Sequence, residues 1–450
     1  MKKVLLAALS ILLLTAGMAA AADDASWLQI GGDYRFRYDS LEGKVHDYID
    51  SGMRPGSTAG PTSGYTVKDN SLMTNRFGIN LKANPLEDVT VKARLVMYKV
   101  FGHQSSTPAL GDFFADRFGA TNDGTVGHVP QDSVMRADYA YATVSNVFNA
   151  PLWISVGRRP STGGVPSNIR QDEEKTGTAG IPSIMVNYAF DGYTIGYAPD
   201  IAALPGSYVK FCGGRGFDSG FQGPTNGLKD TDFYGLNVAP YDTETLHIEL
   251  QYQLGKNIFD QPSDAGVTAN LGDIKWVGGV VTSKVGGLNM FLSAAQSKTD
   301  PNGNTTMGGL AGLMNNGSSK VSHSGTAVYA GGRYDFATGT KIGVEYNQGS
   351  KNWIGMVPAD DDIWTSKLGT RGSVYEVYLI QELQRKAISP KGKAFVKLGY
   401  QQYKFDYTGS NNWVGAPVKI TDLTASPMNA QYFVPLKDAT DIYLTFNVQF

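Results

Sequence analysis

Strict alternation of apolar and polar side chains at the carboxyl end is the feature that most constrains how this chain can fold. Between positions 441 and 450 every second residue is apolar: Ile442, Leu444, Phe446, Val448 and Phe450. A period of two places successive side chains on opposite faces of a β-strand. The segment therefore predicts a two-faced strand that ends on an aromatic residue.

The same alternation recurs along the chain. At positions 28–38, Tyr34 and Phe36 share one face, and Arg35 and Arg37 share the other. Comparable segments lie at 76–83, 89–95, 136–141, 246–254, 328–336 and 341–347. In a soluble sandwich the apolar faces would form a core, whereas in a membrane barrel they would meet lipid and the polar faces would line the lumen. One strand cannot distinguish these cases, but the whole set can.

The alternation also assigns faces at 136–141 and near 401–402. In the 136–141 segment, Tyr139 and Tyr141 fall on the apolar face, opposite Arg136. Near Gln401 and Gln402 the apolar face switches sides. A switch of this kind predicts a β-bulge, because one extra residue reverses the side on which all later residues lie.

The connections between these segments alternate between short and long. Short turns are predicted at 84–88, 146–151, 191–192, 241–244, 285–287, 337–340 and 387–391. Long polar stretches lie at 40–71, 102–133, 160–182, 200–229, 256–269, 298–325, 350–371 and 409–438. Short turns at one end and long loops at the other are typical of an outer-membrane barrel.

The predicted fold class is therefore all-β, a transmembrane antiparallel β-barrel of about 16 strands. Its short turns would be periplasmic and its long loops extracellular. An even strand number requires the 208–211 segment to belong to the fourth long loop. A propeller or solenoid would need a motif repeated at a fixed period, and the sequence repeats only the alternation.

The amino terminus has the pattern of a secretory signal. Lys2 and Lys3 precede an apolar run at 4–16, and small residues follow up to Ala22. We predict a cleaved signal peptide at 1–22 and an outer-membrane barrel at 23–450. The alternative, a retained anchor helix, would need about 20 apolar residues, which is more than this run offers.

Composition excludes several classes of function. Removing the two signal lysines leaves 37 basic against 41 acidic residues, a formal charge of −4, so the chain lacks the basic surplus of a nucleic-acid binder. Its five histidines form no HExxH pattern, and neither GxSxG nor CxxCH occurs. We therefore predict no enzyme, no cofactor and no metal site. Cys212, the single cysteine, is interpreted as a buried loop thiol.

Basic residues gather on the face that would line the lumen in the early strands. By parity these are Arg35, Arg37, Arg76, Lys82, Lys92, Arg94 and Arg136, and Arg158 and Arg159 follow at the end of the fifth strand. Charges of one sign on one wall attract counter-ions and guide anionic solutes. The seven residues placed there by parity are the predicted pore lining.

Several segments resemble an uncharacterised family of porin-like outer-membrane proteins found in anaerobic respiring bacteria. They lie at 114–119, 123–130, 157–164 and, discontinuously, 190–217. The resemblance is densest between positions 72 and 222 and implies a barrel without naming a substrate. The final strand is similar to the closing strand of such barrels, whose terminal aromatic, here Phe450, is read by the barrel-assembly machinery.

The resemblance to general porins also suggests a constriction. In those proteins the third loop folds into the lumen and places acidic residues opposite a basic wall. Here the third long loop contains Arg170, Asp172, Glu173 and Glu174. By analogy, its acidic residues would face the arginines of the early strands. The alternative is a solvated loop outside the barrel.

The leading functional prediction is a channel in the outer membrane for passive diffusion of small hydrophilic solutes or ions. The alternative is a barrel that acts as a scaffold or sheath for electron-transfer cytochromes. Expected partners are outer-membrane lipid, the barrel-assembly machinery, two further copies in a trimer and, for the sheath, periplasmic or extracellular cytochromes.

Overall fold

A computed structural model describes residues 27–450, apart from 53–57, 103–129, 131–132, 160–162, 176, 178–179, 188, 225, 262–265, 307–308, 358, 360 and 426–433. The predicted signal peptide at 1–22 lies outside the described residues, as do the family-like segments at 114–119 and 123–129. The division of the chain at residue 22 therefore stays a prediction.

Sixteen antiparallel strands close into one barrel. They are β1 (Leu28–Val45), β4 (Thr66–Leu86), β5 (Val89–Val100), β6 (Arg136–Val144), β7 (Leu152–Arg159), β8 (Phe190–Tyr197), β9 (Tyr208–Phe217), β10 (Thr231–Asp242), β11 (Leu246–Phe259), β12 (Asn270–Val285), β13 (Leu288–Pro301), β16 (Ser324–Asp335), β17 (Thr340–Gly349), β18 (Gly372–Glu382), β19 (Lys393–Phe405) and β20 (Leu436–Gln449). The predicted fold class and the count of sixteen are confirmed.

The remaining elements are short and lie in the loops. Two small hairpins pair β2 (Tyr48–Asp50) with β3 (Gly60–Thr62) and β14 (Ala311–Gly312) with β15 (Asn315–Asn316). One α-helical turn, α1 (Ser167–Gln171), lies in the third long loop. Single 3₁₀ turns occur at Val147–Asn149, Lys367–Gly369 and Ile420–Asp422.

No helix among the described residues has both the length and the apolar character needed to cross a membrane.

The barrel closes where its first and last strands pair. β1 and β20 run antiparallel, and Asp33 lies opposite Gln449. Beyond that pair, the amide of Gly32 donates to the Phe450 carbonyl at 2.8 Å, and the amide of Phe450 donates to the Gly32 carbonyl at 2.9 Å. The terminal aromatic residue is therefore part of the closing ladder. Its reading by the assembly machinery stays a prediction.

The two faces of each strand have opposite chemistry. On β11, Leu250 is 56% exposed on the outer surface, whereas its neighbour Glu249 is 2% exposed on the inner surface. On β20, Ile442 is 51% exposed and Asp441 is fully buried inside. An apolar outer surface and a polar interior make this a transmembrane barrel.

Two errors in the predicted strand boundaries cancelled each other in the strand count. The predicted turn at 191–192 lies within β8, and the 208–211 segment, predicted to be a loop, begins the barrel strand β9. The short connection at this point is instead residues 198–207. Residues 184–186 are consecutive apolar residues that pack inside the barrel, so they add no strand to the wall.

Two predictions of parity were also wrong. β19 pairs with both neighbours without any register shift, so there is no bulge at Gln401 and Gln402. Its later aromatic residues, such as Tyr403, simply point inward and are buried. A shift does occur in β6, between the partners of Arg94 and Leu95. It turns Tyr139 and Tyr141 toward the lumen, opposite Arg94 and Lys92.

Substitution of Gly32 tests the closing contact. A Cβ at Gly32 would lie 2.4 Å from the Gly78 carbonyl oxygen and 2.8 Å from the Phe450 ring. We expect Gly32→Ala to lower the free energy of unfolding by about 1–3 kcal/mol, as overpacking does. Urea titration of the refolded barrel, followed by gel mobility, measures this change. Gly227→Ala, where a Cβ meets nothing within 4 Å, is the matched control, and equal effects of the two would contradict the expectation.

Candidate functional site in the barrel lumen

The predicted basic wall lies on the inner surface of the first strands. Arg35 and Arg37 point inward from β1, Arg76 and Lys82 from β4, Lys92 and Arg94 from β5, and Arg136 from β6, as their cross-strand partners show. The two arginines at the end of β7 face opposite sides of the wall. Arg159 lies opposite Phe190, which points inward. Arg158 lies opposite Ala140 and Asp191, which are exposed on the outer surface. Of these two residues, Arg159 therefore faces the lumen and Arg158 faces the outer surface.

Carboxylates neutralise the two arginines of β1. Arg37 donates to Asp39 at 2.6 Å and to Asp441 at 2.8 Å, and all three side chains are almost fully buried. Arg35 makes a bidentate ion pair with Asp361, in which both terminal nitrogens donate to the carboxylate. Bidentate pairing of this kind holds a guanidinium in one orientation. These charges are therefore fixed parts of the wall.

The arginines of β4 and β5 share further carboxylates. Arg94 lies 2.6 Å from Asp33 and 3.4 Å from Asp138. Arg76 lies 3.6 Å from Asp33 and 3.8 Å from Asp361. Four arginines thus meet five carboxylates. The predicted basic wall is largely compensated where its arginines lie.

Asp361 comes from the seventh long loop, which we call L7 (350–371). Burial alone would raise the pKa of Asp361, but the charges of Arg35 and Arg76 outweigh it and hold the pKa well below its ordinary value. The prediction had placed acidic residues of the third loop in this position. The available signal was the run of aspartates in L7, which the sequence analysis did not use.

The third long loop, here L3 (160–189), does fold into the lumen, but it mainly contacts the other side. Arg170 lies 3.0 Å from Asp362 of L7 and 3.3 Å from Glu376 of β18. Asp172 lies 3.0 Å from Arg333, 2.6 Å from Lys341 and 2.5 Å from Lys393. Asp172 is thus neutralised by late strands, whereas the analogy with general porins had placed it opposite the early ones.

Glu173 and Glu174, the next two residues of L3, are both exposed side chains. Glu173 borders the same partly open cavity as Arg35, Arg37 and Arg76. Of the three acidic residues in this loop, Glu173 is therefore the one that the structure brings to the arginine wall.

An apolar cluster anchors L3 and L7 inside the barrel. Ile184 and Met185 of L3 are fully buried in a cluster with Trp276 of β12 and Trp353 of L7. The Trp276 indole donates to the carbonyl of Ile354 at 2.7 Å. Parity places Trp276 on the inner surface of the wall, a position that the sequence analysis did not consider. The loops thus fill much of the lumen beside the late strands.

Three inward cations on the early strands lack this compensation. Lys82 and Lys92 lie directly opposite each other on β4 and β5, and the Arg159 guanidinium lies over the Tyr141 ring, 5.2 Å from its centroid. Among the described residues, no carboxylate lies within 4.0 Å of these three cations. We call Lys82, Lys92 and Arg159 the open cations.

Cys212 lies in β9, so its assignment to a loop was wrong. It is half-buried on the inner surface, and the Thr194 hydroxyl donates to its sulfur at 3.1 Å. Within the described part of the chain, no group of three or more histidine, cysteine, aspartate or glutamate side chains is placed to hold a metal ion.

The fold and the lumen define a class, a sixteen-stranded transmembrane barrel with a charged interior. Residues 66–450 match the profile of a family described as "Protein of unknown function (DUF3373)". The match spans most of the chain, and the chain belongs to this family. No curated protein sequence matches it.

Several solved structures are similar to this barrel. OmpF of Salmonella typhi, in complex with daunomycin, is 10% identical, with 93% of this chain and 97% of that chain covered and a TM-score of 0.45. The anion-selective porin from Comamonas acidovorans is 11% identical, with 94% and 99% covered and a TM-score of 0.46. OmpT of Vibrio cholerae, in its trimer form, is 11% identical, with 94% and 99% covered and a TM-score of 0.45. The fold assignment rests on the strand pairing itself.

Removal of the Asp172 carboxylate tests the anchoring of L3. Asp172→Asn would leave Arg333, Lys341 and Lys393 facing one another without their shared anion. We expect the free energy of unfolding to fall by about 2 kcal/mol, the scale of a lost charged hydrogen bond. Glu174→Gln changes the same charge at an exposed position of the same loop, and should change the free energy by less than about 0.5 kcal/mol. Equal losses in urea titrations would contradict the assignment.

The contribution of Asp172 should also depend on pH. Burial would raise the pKa of Asp172, but hydrogen bonds from Lys341 and Lys393 and the charge of Arg333 hold it below its ordinary value. A depressed pKa stabilises the fold above the unfolded pKa of about 3.9, and this stabilisation is lost as the pH falls below it. The difference in unfolding free energy between wild type and Asp172→Asn should be constant above about pH 5 and shrink below about pH 4. If the difference in unfolding free energy instead grew as the pH fell, the result would contradict a lowered pKa for Asp172.

Proposed function

We propose that this protein is a channel in the outer membrane for passive diffusion of small hydrophilic solutes or ions, with a preference for anions. The closed barrel supports this proposal, because its outer surface is apolar and its inner surface carries charged side chains. The solute gradient supplies the driving force. The proposal needs no catalytic group.

The observation that carries the proposal is the set of open cations. Lys82, Lys92 and Arg159 lie on the inner surface of β4, β5 and β7, and no described carboxylate is within ion-pair distance of them. Cations without fixed counter-charges attract mobile anions and raise their local concentration. A path along the early strands would therefore favour anions.

The asymmetry of the lumen supports one position for this path. Inward side chains of the late strands, such as Glu345 and Glu376, are buried beneath L3 and L7. On the early strands, Lys82 and Lys92 are only half-buried, although other inward side chains there, such as Tyr98, are buried. We infer that solutes pass on the side of the early strands, between the wall and L3.

The sheath for electron-transfer cytochromes is the less supported alternative. A sheath needs space for a partner inside the barrel, whereas L3 and L7 of the chain itself already pack against the late strands. Haem absorbance that co-purifies with the protein would nevertheless favour the sheath.

Liposome swelling tests the channel. Liposomes that contain the purified protein should swell in isotonic solutions of small sugars, because the proposed path is open to water. Protein-free liposomes give the baseline. Swelling at the baseline rate would refute the channel.

Ion selectivity tests the open cations. In planar bilayers with a KCl gradient, Lys82→Gln combined with Lys92→Gln should lower the chloride-to-potassium permeability ratio by more than about threefold, since each removed unit charge about 7 Å away in water contributes about 0.6 kcal/mol, which alone is about threefold. Lys256→Gln with Lys404→Gln removes two exposed lysines from β11 and β19, and should leave the ratio unchanged. Equal reversal potentials for the two double variants would refute the assigned path.

A further inference from the structure

A recess in the lumen wall lies beside Arg159, where L3 approaches the inner surface of β8–β11. It opens to solvent, and its space, part of which is open solvent, amounts to about 570 Å³. Phe190, Phe233, Gln251 and Arg159 border it from the strands, and Ile181 and Val186 border it from L3. The recess is distinct from the cavity beside Glu173.

Glycines form the floor of this recess. Gly192 of β8 and Gly214 of β9 lie opposite each other on inward positions, and Gly235 of β10 lies opposite Cys212. A Cβ at Gly192 would lie 2.0 Å from the Gly213 carbonyl oxygen, and one at Gly214 would lie 2.8 Å from the Phe190 Cβ. Backbone at Gly192 and the Phe190 side chain at Gly214 therefore leave no room for a larger residue at these two positions, which keeps the wall thin there.

The sides of the recess are apolar. The Phe190 and Phe233 rings stack with their centroids 4.5 Å apart and an angle of 15° between their planes. Ile181 and Val186 of L3 belong to the same apolar cluster as Phe233. Such surfaces favour a ligand with a flat apolar body, because its binding removes apolar area from water.

Two polar groups at the recess lack partners within the described part of the chain: the Arg159 guanidinium has no carboxylate, and the Gln251 Oε1 has no hydrogen-bond donor. Arg159 is one of the open cations, so it offers a guanidinium to an anion. The Gln251 Nε2 donates to the Asn237 Oδ1 at 2.5 Å, but the Gln251 Oε1 has no hydrogen-bond partner among the described residues although the side chain is only 3% exposed. A buried acceptor without a donor is costly unless a ligand or water supplies one.

We propose that this recess binds a small aromatic carboxylate that carries a hydroxyl group. Arg159 binds the carboxylate, for which a guanidinium has matching geometry. The ring lies against the stacked phenylalanines, and the hydroxyl donates to the Gln251 Oε1. The site deepens the proposed function and rests on it, since solutes reach the recess through the lumen.

Equilibrium dialysis with detergent-solubilised protein tests the site without requiring conduction. The probes are 3- and 4-hydroxybenzoate, with benzoate and benzyl alcohol as comparisons. We expect saturable binding of at least one hydroxybenzoate, weaker binding of benzoate and none of benzyl alcohol. No saturable binding of either hydroxybenzoate, or equal binding of benzyl alcohol, would overturn the proposal.

Two variants and one control assign the contacts. Arg159→Gln should weaken hydroxybenzoate binding by about tenfold or more, the scale of one strong charged contact. Arg158→Gln removes the same charge one residue away on the outer surface and should bind like wild type. Gln251→Leu should abolish the preference for hydroxybenzoate over benzoate. Equal affinities of the two arginine variants, or an unchanged preference in Gln251→Leu, would overturn the assigned contacts.

The outcomes separate this site from the channel. Binding without liposome swelling would refute the channel and leave the recess as a ligand site. Swelling without hydroxybenzoate binding would refute the site and leave the channel. A gel-mobility shift on heating confirms that each variant has formed a barrel before its binding is measured.

Discussion

Backbone pairing between the first and last strands is the constraint on which the rest of the structure depends. Hydrocarbon offers no hydrogen-bond partners, so an open sheet edge inside a membrane would leave a row of unpaired amides and carbonyls. The β1–β20 ladder, extended by the mutual hydrogen bonds of Gly32 and Phe450, removes that edge. Closure then divides every strand into a lipid face and a lumen face. The ion-paired side chains of the lumen are inside because of that division.

Once the barrel is closed, its interior charges must find partners. Burying an ion without a partner costs several kcal/mol, so a deeply buried arginine needs a carboxylate or other hydrogen-bond acceptors. Some partners lie on neighbouring strands, as Asp441 does for Arg37. Others come from loops far along the chain, as Asp361 does for Arg35 across 326 residues. These pairs hold L7 in the lumen, and the pairs of Arg170 and Asp172 do the same for L3.

The result is a lumen with two unlike sides. Beside the late strands, L3 and L7 bury an apolar cluster and a network of compensated charges. The open cations of the early strands and the glycine-floored recess beside them on β8–β11 have polar groups without such partners among the described residues. The first arrangement stabilises the fold. The second is the part of the molecule from which both functional proposals follow.

Local pattern predicted much of this fold, but not its loops. Alternation identified most strands and the inward side of seven basic residues, because side-chain direction in a strand depends only on parity. Bulges escape that rule, and the shift in β6 reversed Tyr139 and Tyr141. An apolar segment such as 184–186 also has the same sequence pattern whether it forms a strand of the wall or packs inside the barrel. The predicted count of sixteen was correct only because two errors cancelled. The segment that contains 184–186 was counted as a strand, and the strand β9 was missed.

The alternating sequence by itself determined that the chain forms a two-faced barrel and which face most strand residues occupy. Only the tertiary structure decided which charges remain uncompensated. Lys82 and Arg76 are alike by parity, yet Arg76 lies beside Asp33 and Asp361 whereas no described carboxylate pairs with Lys82. The difference arises because ion pairs depend on distance in space, and barrel closure and loop packing bring together groups that lie hundreds of residues apart.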